Sequence, residues 1–434
     1  MKRSEEAFAS LHSTAVVPAA TVCSMKSPRV RFTPVEEQWR YGTRLLTAHH
    51  HVDDARIVDA LVSSVFLNEQ LHVPRKIEVS KQELPTEEVD PVAVDDIEIT
   101  VRKAPKGSNV LAERILNTLL HAEFRRGSMK LIEPFFALFL HKIQAFIDAQ
   151  EPIQMILPTL PSKGQNRARN DHAIDEVSLG EILFFAQMRD IVHSIKQIYD
   201  PGMKITVVTD GIIYADMFRH NDTGRAILYR NTCMELRDRM QLRDVVDIVD
   251  MDWLLFSEPT FGLMKSFVHD RLLCLWNTNA DVKQRMESLM RGMIFNMPTP
   301  GEKFERALEN INRPFTELPQ GFQDKLKFTA LRYASSLIAL QRLQILYRAF
   351  PGALRATVHP KAAPQIGLHL VNSRSTVFPY HGVVLVSAQE WRKSKSLRKA
   401  SSIVSLYDVY ALKKPVKKYC EKGKESSLYF LIED

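Results

Sequence analysis

A chain of 434 residues with 45% hydrophobic and 25% charged content can bury a sizeable core, so the composition excludes a fibrous or wholly disordered protein. Four scattered cysteines, with no CxxC pair, exclude a disulfide-dense scaffold and speak against structural zinc. A net charge of +7 favours phosphate-bearing partners, but the charge is uneven: residues 84–100 are acidic and residues 392–424 are basic.

Residues 1–35 carry Pro18, Pro28 and Pro34 and read as a poorly ordered lead-in rather than a signal peptide. Apolar spacing predicts helix over 36–72. Residues 73–106 read as extended, with short strands at 76–80 and 95–104, and helical periodicity returns over 108–150. An apolar run at 153–157, closed by prolines, predicts a buried strand. An amphipathic helix over 176–199 follows and is broken by Asp200-Pro201-Gly202. A β-branched strand at 204–208 then ends in Asp210-Gly211. Strand, loop, helix, turn, strand is a βαβ unit and implies a parallel sheet. A further helix spans 224–242, and 244–255 reads as a strand–helix junction. Residues 257–350 read as mainly helical, ending in one long helix over 326–350 that stops at Pro351-Gly352. Strand patterns return over 353–390.

The expected fold is α/β, a Rossmann-like parallel sheet core with an additional mainly helical region. The expected units are an N-terminal region (1–105), an α/β core (106–256), a mainly helical region (257–352), a strand-rich segment completing the active site (353–390) and a basic C-terminal tail (391–434). No apolar run approaches 18 residues, so no membrane span is expected and the expected location is cytoplasmic.

In an open α/β sheet, ligands bind beyond the carboxyl ends of the strands. The loop after the first strand of the βαβ unit is cationic and polar (Lys163, Asn166, Arg167, Arg169, His172, Asp175). The loop after the second is mainly anionic (Asp210, Asp216, His220, Asp222). A cationic loop suits a phosphate or carboxylate, and carboxylates beside it suit an amine or act as bases. Solvated strand ends carry the same residue types, so charge alone assigns no reaction. The run His49-His50-His51 lacks matching ligands at metal spacing. GxGxxG, Walker and HExxH motifs are absent, and Ser178 has no nucleophile-elbow context. The basic tail opens a second class of reading, a non-enzymatic protein contacting polyanions, although charge runs are usually solvated faces.

Three segments carry a resemblance. In ILPTLPSKGQNRARNDHAID, a strand leads into Pro161-x-Lys163-x-x-Asn166, then Arg169, with Ile174-Asp175 where a Pro-Asp pair is usual. In IYDPGMKITVVTDGIIYADMFRHND, Tyr199-x-Pro201-Gly202 precedes a strand, Thr209-Asp210-Gly211, Asp216 and Asp222, with Ile212 where arginine is common. In LRATVHPKAAPQIGLHLVNSRSTVFPYHGVVLV, Arg355 and His359-Pro360 precede Pro379-Tyr380-His381-Gly382, with Tyr380 where tryptophan is usual. In this order the segments resemble the pyoverdine/dityrosine biosynthesis family of isocyanide (isonitrile) synthases.

The resemblance implies condensation of an amino acid's amine, that of tyrosine or tryptophan, with the ketone of ribulose 5-phosphate. Elimination and carbon–carbon cleavage then leave the sugar's C2 as the isonitrile carbon, with no metal or organic cofactor. It further implies that Lys163, Arg169 and Arg355 hold phosphate and carboxylate, beside Asn166, His172 and Asp175. Asp210 and Asp216 hold the amine or move protons, and His359 and His381 exchange protons. Lys163→Ala is then expected to abolish activity without unfolding the protein. An iron/2-oxoglutarate oxygenase is a possible downstream partner, nucleic acid is not an expected one, and an N-formyl amino acid is the alternative product.

Overall fold

The computed structural model describes residues 79–94, 97–101, 110–173, 175–211, 223–256, 258–295, 303–360 and 362–433. The helix expected over 36–72 and the His49–His51 run lie outside the described residues, as do Cys23 and Ile212–Asp222. The first elements are β1 (Thr86–Val89), α1 (Leu111–Leu119), α2 (Phe136–Asp148), β2 (Ile153–Pro158), α3 (Leu179–Lys196), β3 (Met203–Thr209), α4 (Thr223–Arg239) and β4 (Val246–Asp250). A helical stretch follows: α5 (Met251–Phe256), α6 (Thr260–Thr278), α7 (Ala280–Ile294), α8 (Phe304–Asn312), α9 (Gln320–Arg342) and α10 (Ile345–Ala349). The chain then forms β5 (Leu354–Thr357), β6 (Ile366–Gly367), β7 (Val383–Ser387), α11 (Ala388–Ser394), α12 (Leu397–Ala400), β8 (Ser401–Val404), α13 (Leu406–Tyr410), β9 (Val416–Glu421) and β10 (Ser427–Ile432).

The expected parallel sheet is present, with strand order β4-β3-β2-β5-β6 and every pairing parallel. Alternation decides what each face covers. Met155, Leu157, Ile205 and Val207 point into one core with α1–α4, while Ile156 and Val208 point into a second core built by α6–α10. Helices on both faces explain why these strands read as continuous apolar runs rather than as alternating ones. The strand order also defines a switch point. The chain moves outward from β2 to β3 and β4, then returns through the helical stretch to place β5 on the other side of β2. The crevice between the carboxyl ends of β2 and β5 is where such a sheet receives its ligands.

The basic C-terminal stretch is folded, not a tail. β7–β10 join β1 in a mixed sheet of order β1-β9-β10-β7-β8. Part of the positive charge of this stretch is paired within the fold. Lys417 lies 3.5 Å from Glu87 and 3.1 Å from Glu433, Lys418 lies 3.3 Å from Asp171, and buried Arg398 pairs with Asp190. One residue of the acidic stretch, Glu87, thus pairs with the basic stretch, and β1 lies parallel to β9 beside it. Residues 79–80 and 97–101 form no strand; the strand in this region is β1, held parallel to β9. The long helix expected over 326–350 is two helices, because Gln344 adopts a left-handed conformation (φ 50°) between α9 and α10. Among the described residues no helix is long and apolar enough to cross a membrane.

Candidate functional site

The three segments meet at the switch point. The loop leaving β2 passes over the carboxyl end of β3, where Gly211 packs against it so tightly that a Cβ would sit 1.6 Å from the Pro161 carbonyl oxygen. Gly211 is therefore required by close approach rather than by turn geometry. Gly211→Ala is expected to cost about 1–3 kcal/mol or more through overpacking, read as a lowered melting temperature. A melting temperature equal to that of the parent chain would refute the close approach.

The same loop reaches the third segment. Gly164 donates its amide to the Tyr380 carbonyl at 2.6 Å, and a Cβ on Gly164 would meet the His381 ring at 3.2 Å. Lys163 is fully buried. Its ammonium group donates to Ser178 Oγ at 2.8 Å, to the Pro379 carbonyl at 3.2 Å and to Glu181, whose two oxygens lie 2.7 and 2.8 Å away. Ser178 caps α3, and Glu181 closes the capping box. Glu181 also accepts from Tyr229 at 3.0 Å. A cation at a helix N-terminus opposes the helix dipole, and Glu181 offsets that cost. All three ammonium protons thus have protein acceptors, which leaves none for a substrate phosphate.

Other polar groups of the first loop are also spent on the fold. Asn166 donates to the Ile294 carbonyl at 2.7 Å and accepts from the Ala168 amide. Arg169 is buried, donates to Ser405 Oγ and the Phe295 carbonyl, and lies over the Phe295 ring. His172 is buried between Glu176 (3.4 Å) and Asp171 (3.8 Å). Asp175 is half-buried in the turn before α3. Arg355 lies on β5 opposite Ile156, with its guanidinium 5.8 Å from the Tyr347 ring centre. Asp216 lies outside the described residues.

What gathers at the crevice is Asp210, His359 and His381, with an aromatic wall. Phe378 stacks on Tyr380 at 5.6 Å. The His359 ring meets Phe378 edge-on at 5.1 Å, and the His381 ring meets Tyr380 edge-on at 4.5 Å. The Tyr380 hydroxyl accepts from Thr159, at the end of β2. Burial pushes the half-buried Asp210 carboxyl up to about 7, opposed by a backbone hydrogen bond. Burial and the Asp210 charge push up the phenols of Tyr333, from α9, and Tyr380, the latter against its bond from Thr159. Burial, then the positive charge of Arg169, holds His381 well below its ordinary value, so it is a neutral imidazole at neutral pH. The crevice therefore offers a carboxyl titrating near neutrality, protonated phenols and a neutral imidazole.

The sequence did not mark Glu181, Tyr333, Phe378 or Arg126, whose guanidinium lies 4.9 Å from the centre of the Phe378 ring. The Ser178-x-x-Glu181 capping box was a visible signal for the first. Tyr333 and Arg126 come from helical and turn segments with no local motif to mark them.

The family model described as "Pyoverdine/dityrosine biosynthesis protein" (DIT1_PvcA) matches residues 143–403, more than half of the chain. The chain belongs to this family. An L-tryptophan isonitrile synthase, AmbI2 of Fischerella ambigua, is 22% identical over 306 residues, covering 66% of this chain and 86% of the relative. An L-tyrosine isonitrile synthase of Pseudomonas aeruginosa is 25% identical over 288 residues, covering 64% and 84%. The crystal structure of the PvcA protein from Pseudomonas aeruginosa superposes with a TM-score of 0.54 at 18% identity. It covers 75% of this chain and 100% of that chain, and so shows a shared fold.

Proposed function

We propose that this chain is an isonitrile synthase that joins the amine of an amino acid, tyrosine or tryptophan, to ribulose 5-phosphate. The observation that carries the reading is the crevice at the β2–β5 switch point, where Asp210 titrates near neutrality beside Tyr333 and Tyr380. Amine attack on a ketone requires the free amine, and a carboxylate poised near pH 7 is suited to take its proton. Loss of water from the adduct needs a donor, which the two phenols supply. His381, neutral and rigidly seated against Gly164, accepts or relays a proton without competing as a cation. Lys163 in this reading positions the third segment through its bond to the Pro379 carbonyl.

The test is incubation of the purified chain with ribulose 5-phosphate and a panel of amino acids, with product read by infrared absorption and mass spectrometry. An isonitrile from an aromatic amino acid is expected. An N-formyl product would reassign the reaction, and no product from folded protein with any amino acid would overturn it.

A further inference from the structure

We propose that Arg126 holds the phosphate of a phosphate-monoester substrate, beside the Phe378 ring of the crevice, with His359 and His369 as neighbouring donors. The inference rests on the sugar-phosphate reading above and adds a further cation to it, since Lys163 and Arg169 are bonded into the fold and Arg355 lies against the Tyr347 ring.

Arg125 and Arg126 are adjacent but differently used. Arg125 donates to the Leu120 and Gly127 carbonyls and is consumed by its own turn. Arg126 is held by its backbone instead. Its amide donates to the Gly367 carbonyl at 2.9 Å, and Gly367 has no room for a side chain, because a Cβ would lie 2.2 Å from the Arg126 carbonyl oxygen. Gly127 beside it is left-handed (φ 90°) and packs on Pro360. The side chain is thus delivered from a fixed point. Its guanidinium lies 4.9 Å from the centre of the Phe378 ring, the same ring that His359 meets edge-on.

The guanidinium is half-buried and forms no ion pair or side-chain hydrogen bond among the described residues. Buried Arg398, by contrast, has Asp190 and Gln187. Leaving a desolvated cation unpaired is costly, and an aromatic face compensates it only in part. A bound anion would complete it. His369, whose amide donates to the Phe124 carbonyl, is near enough that burial and then the charges of Arg126 and Arg125 hold its imidazole down to about 4. A fixed guanidinium with imidazoles beside it presents more donors than one carboxylate can use, and suits the several oxygens of a phosphate.

Position also favours phosphate. Arg126 and Asp210 both act on Tyr380, yet no ion pair joins them. The charges of an α-amino acid adjoin, whereas a sugar phosphate carries its phosphate several bonds from its reacting carbonyl.

The test is calorimetric titration of ribulose 5-phosphate, inorganic phosphate and the amino acid into the full chain, its R126M variant and its R126K variant. R126M is expected to weaken both phosphate compounds by about ten- to a hundredfold and to leave amino-acid affinity unchanged. R126K keeps the charge and is expected to weaken them several-fold, which preserves the test should R126M not fold. Unchanged phosphate affinity in folded variants would overturn the proposal, as would loss of amino-acid binding in place of phosphate binding. Arg126-dependent phosphate binding by a chain that makes no isonitrile would leave the subsite standing and the reaction refuted. A parent chain that binds no phosphate compound would refute the subsite itself.

Discussion

Asp210→Asn is expected to lower turnover by about 10²–10⁴-fold, the usual contribution of a positioned general base, and to make the protein less sensitive to alkali. The two effects share one cause. In the unfolded chain this carboxyl titrates near its ordinary value of about 4, and burial in the crevice raises it to about 7. Between those values the folded state holds a proton that the unfolded state has lost, so stability falls as pH rises from about 4 to about 7. The cost is absent below that window and complete above it. Asparagine cannot ionise, so the variant should lack this fall, and its melting temperature at pH 8 should equal or exceed that of the parent. The rate follows the opposite course. Activity of the parent should rise as Asp210 deprotonates, with a midpoint near pH 7, and that limb should vanish in the variant. A fully active Asp210→Asn chain, or a parent whose rate is flat from pH 5 to 8, would remove Asp210 from the reaction.

The sequence carried the parallel core because β2 and β3 are buried on both faces. Residues 153–157 and 204–208 are near-continuous apolar runs, and the breakers around them, Pro158, Pro161 and Asp210-Gly211, are local. It did not carry β9 and β10 as strands. In the VKKYCE segment of β9, Val416 and Cys420 are buried while Lys417, Lys418 and Glu421 are only partly so, and charge masked the pattern. The break at Gln344 had no glycine or proline to announce it. For the site, the segments were legible but not the division of labour within them. A lysine in a polar loop looks the same in sequence whether it faces a substrate or a glutamate. The partner that decides between these for Lys163 is Glu181, hidden in the first turn of an apolar helix. Arg126 and Tyr333 reach the crevice from parts of the chain with no motif, through pairings such as Arg126 with Gly367 that only the fold creates.

That division of labour sets the second large effect. Lys163→Met is expected to destabilise the protein by about 3–5 kcal/mol, because it leaves the Glu181 carboxylate buried without its counter-ion. The melting temperature should fall by roughly 3–6 °C. The single variant alone does not distinguish a positioning lysine from a catalytic one, since an unstable enzyme is also inactive. The double variant K163M/E181Q does. Glutamine at this position keeps the capping box with Ser178 and removes the unpaired charge, so most of the lost stability should return. The Pro379 carbonyl still lacks its donor, and the segment carrying Tyr380 and His381 is no longer tied to the first loop by that bond. Stability should therefore recover while turnover stays low, and the affinity for ribulose 5-phosphate should change less than in R126M. The contrary result is equally definite. If Lys163→Met melts with the parent and loses only phosphate affinity, then the ammonium group leaves Glu181 to meet the substrate, and Lys163 is a phosphate ligand as its place in the loop implies.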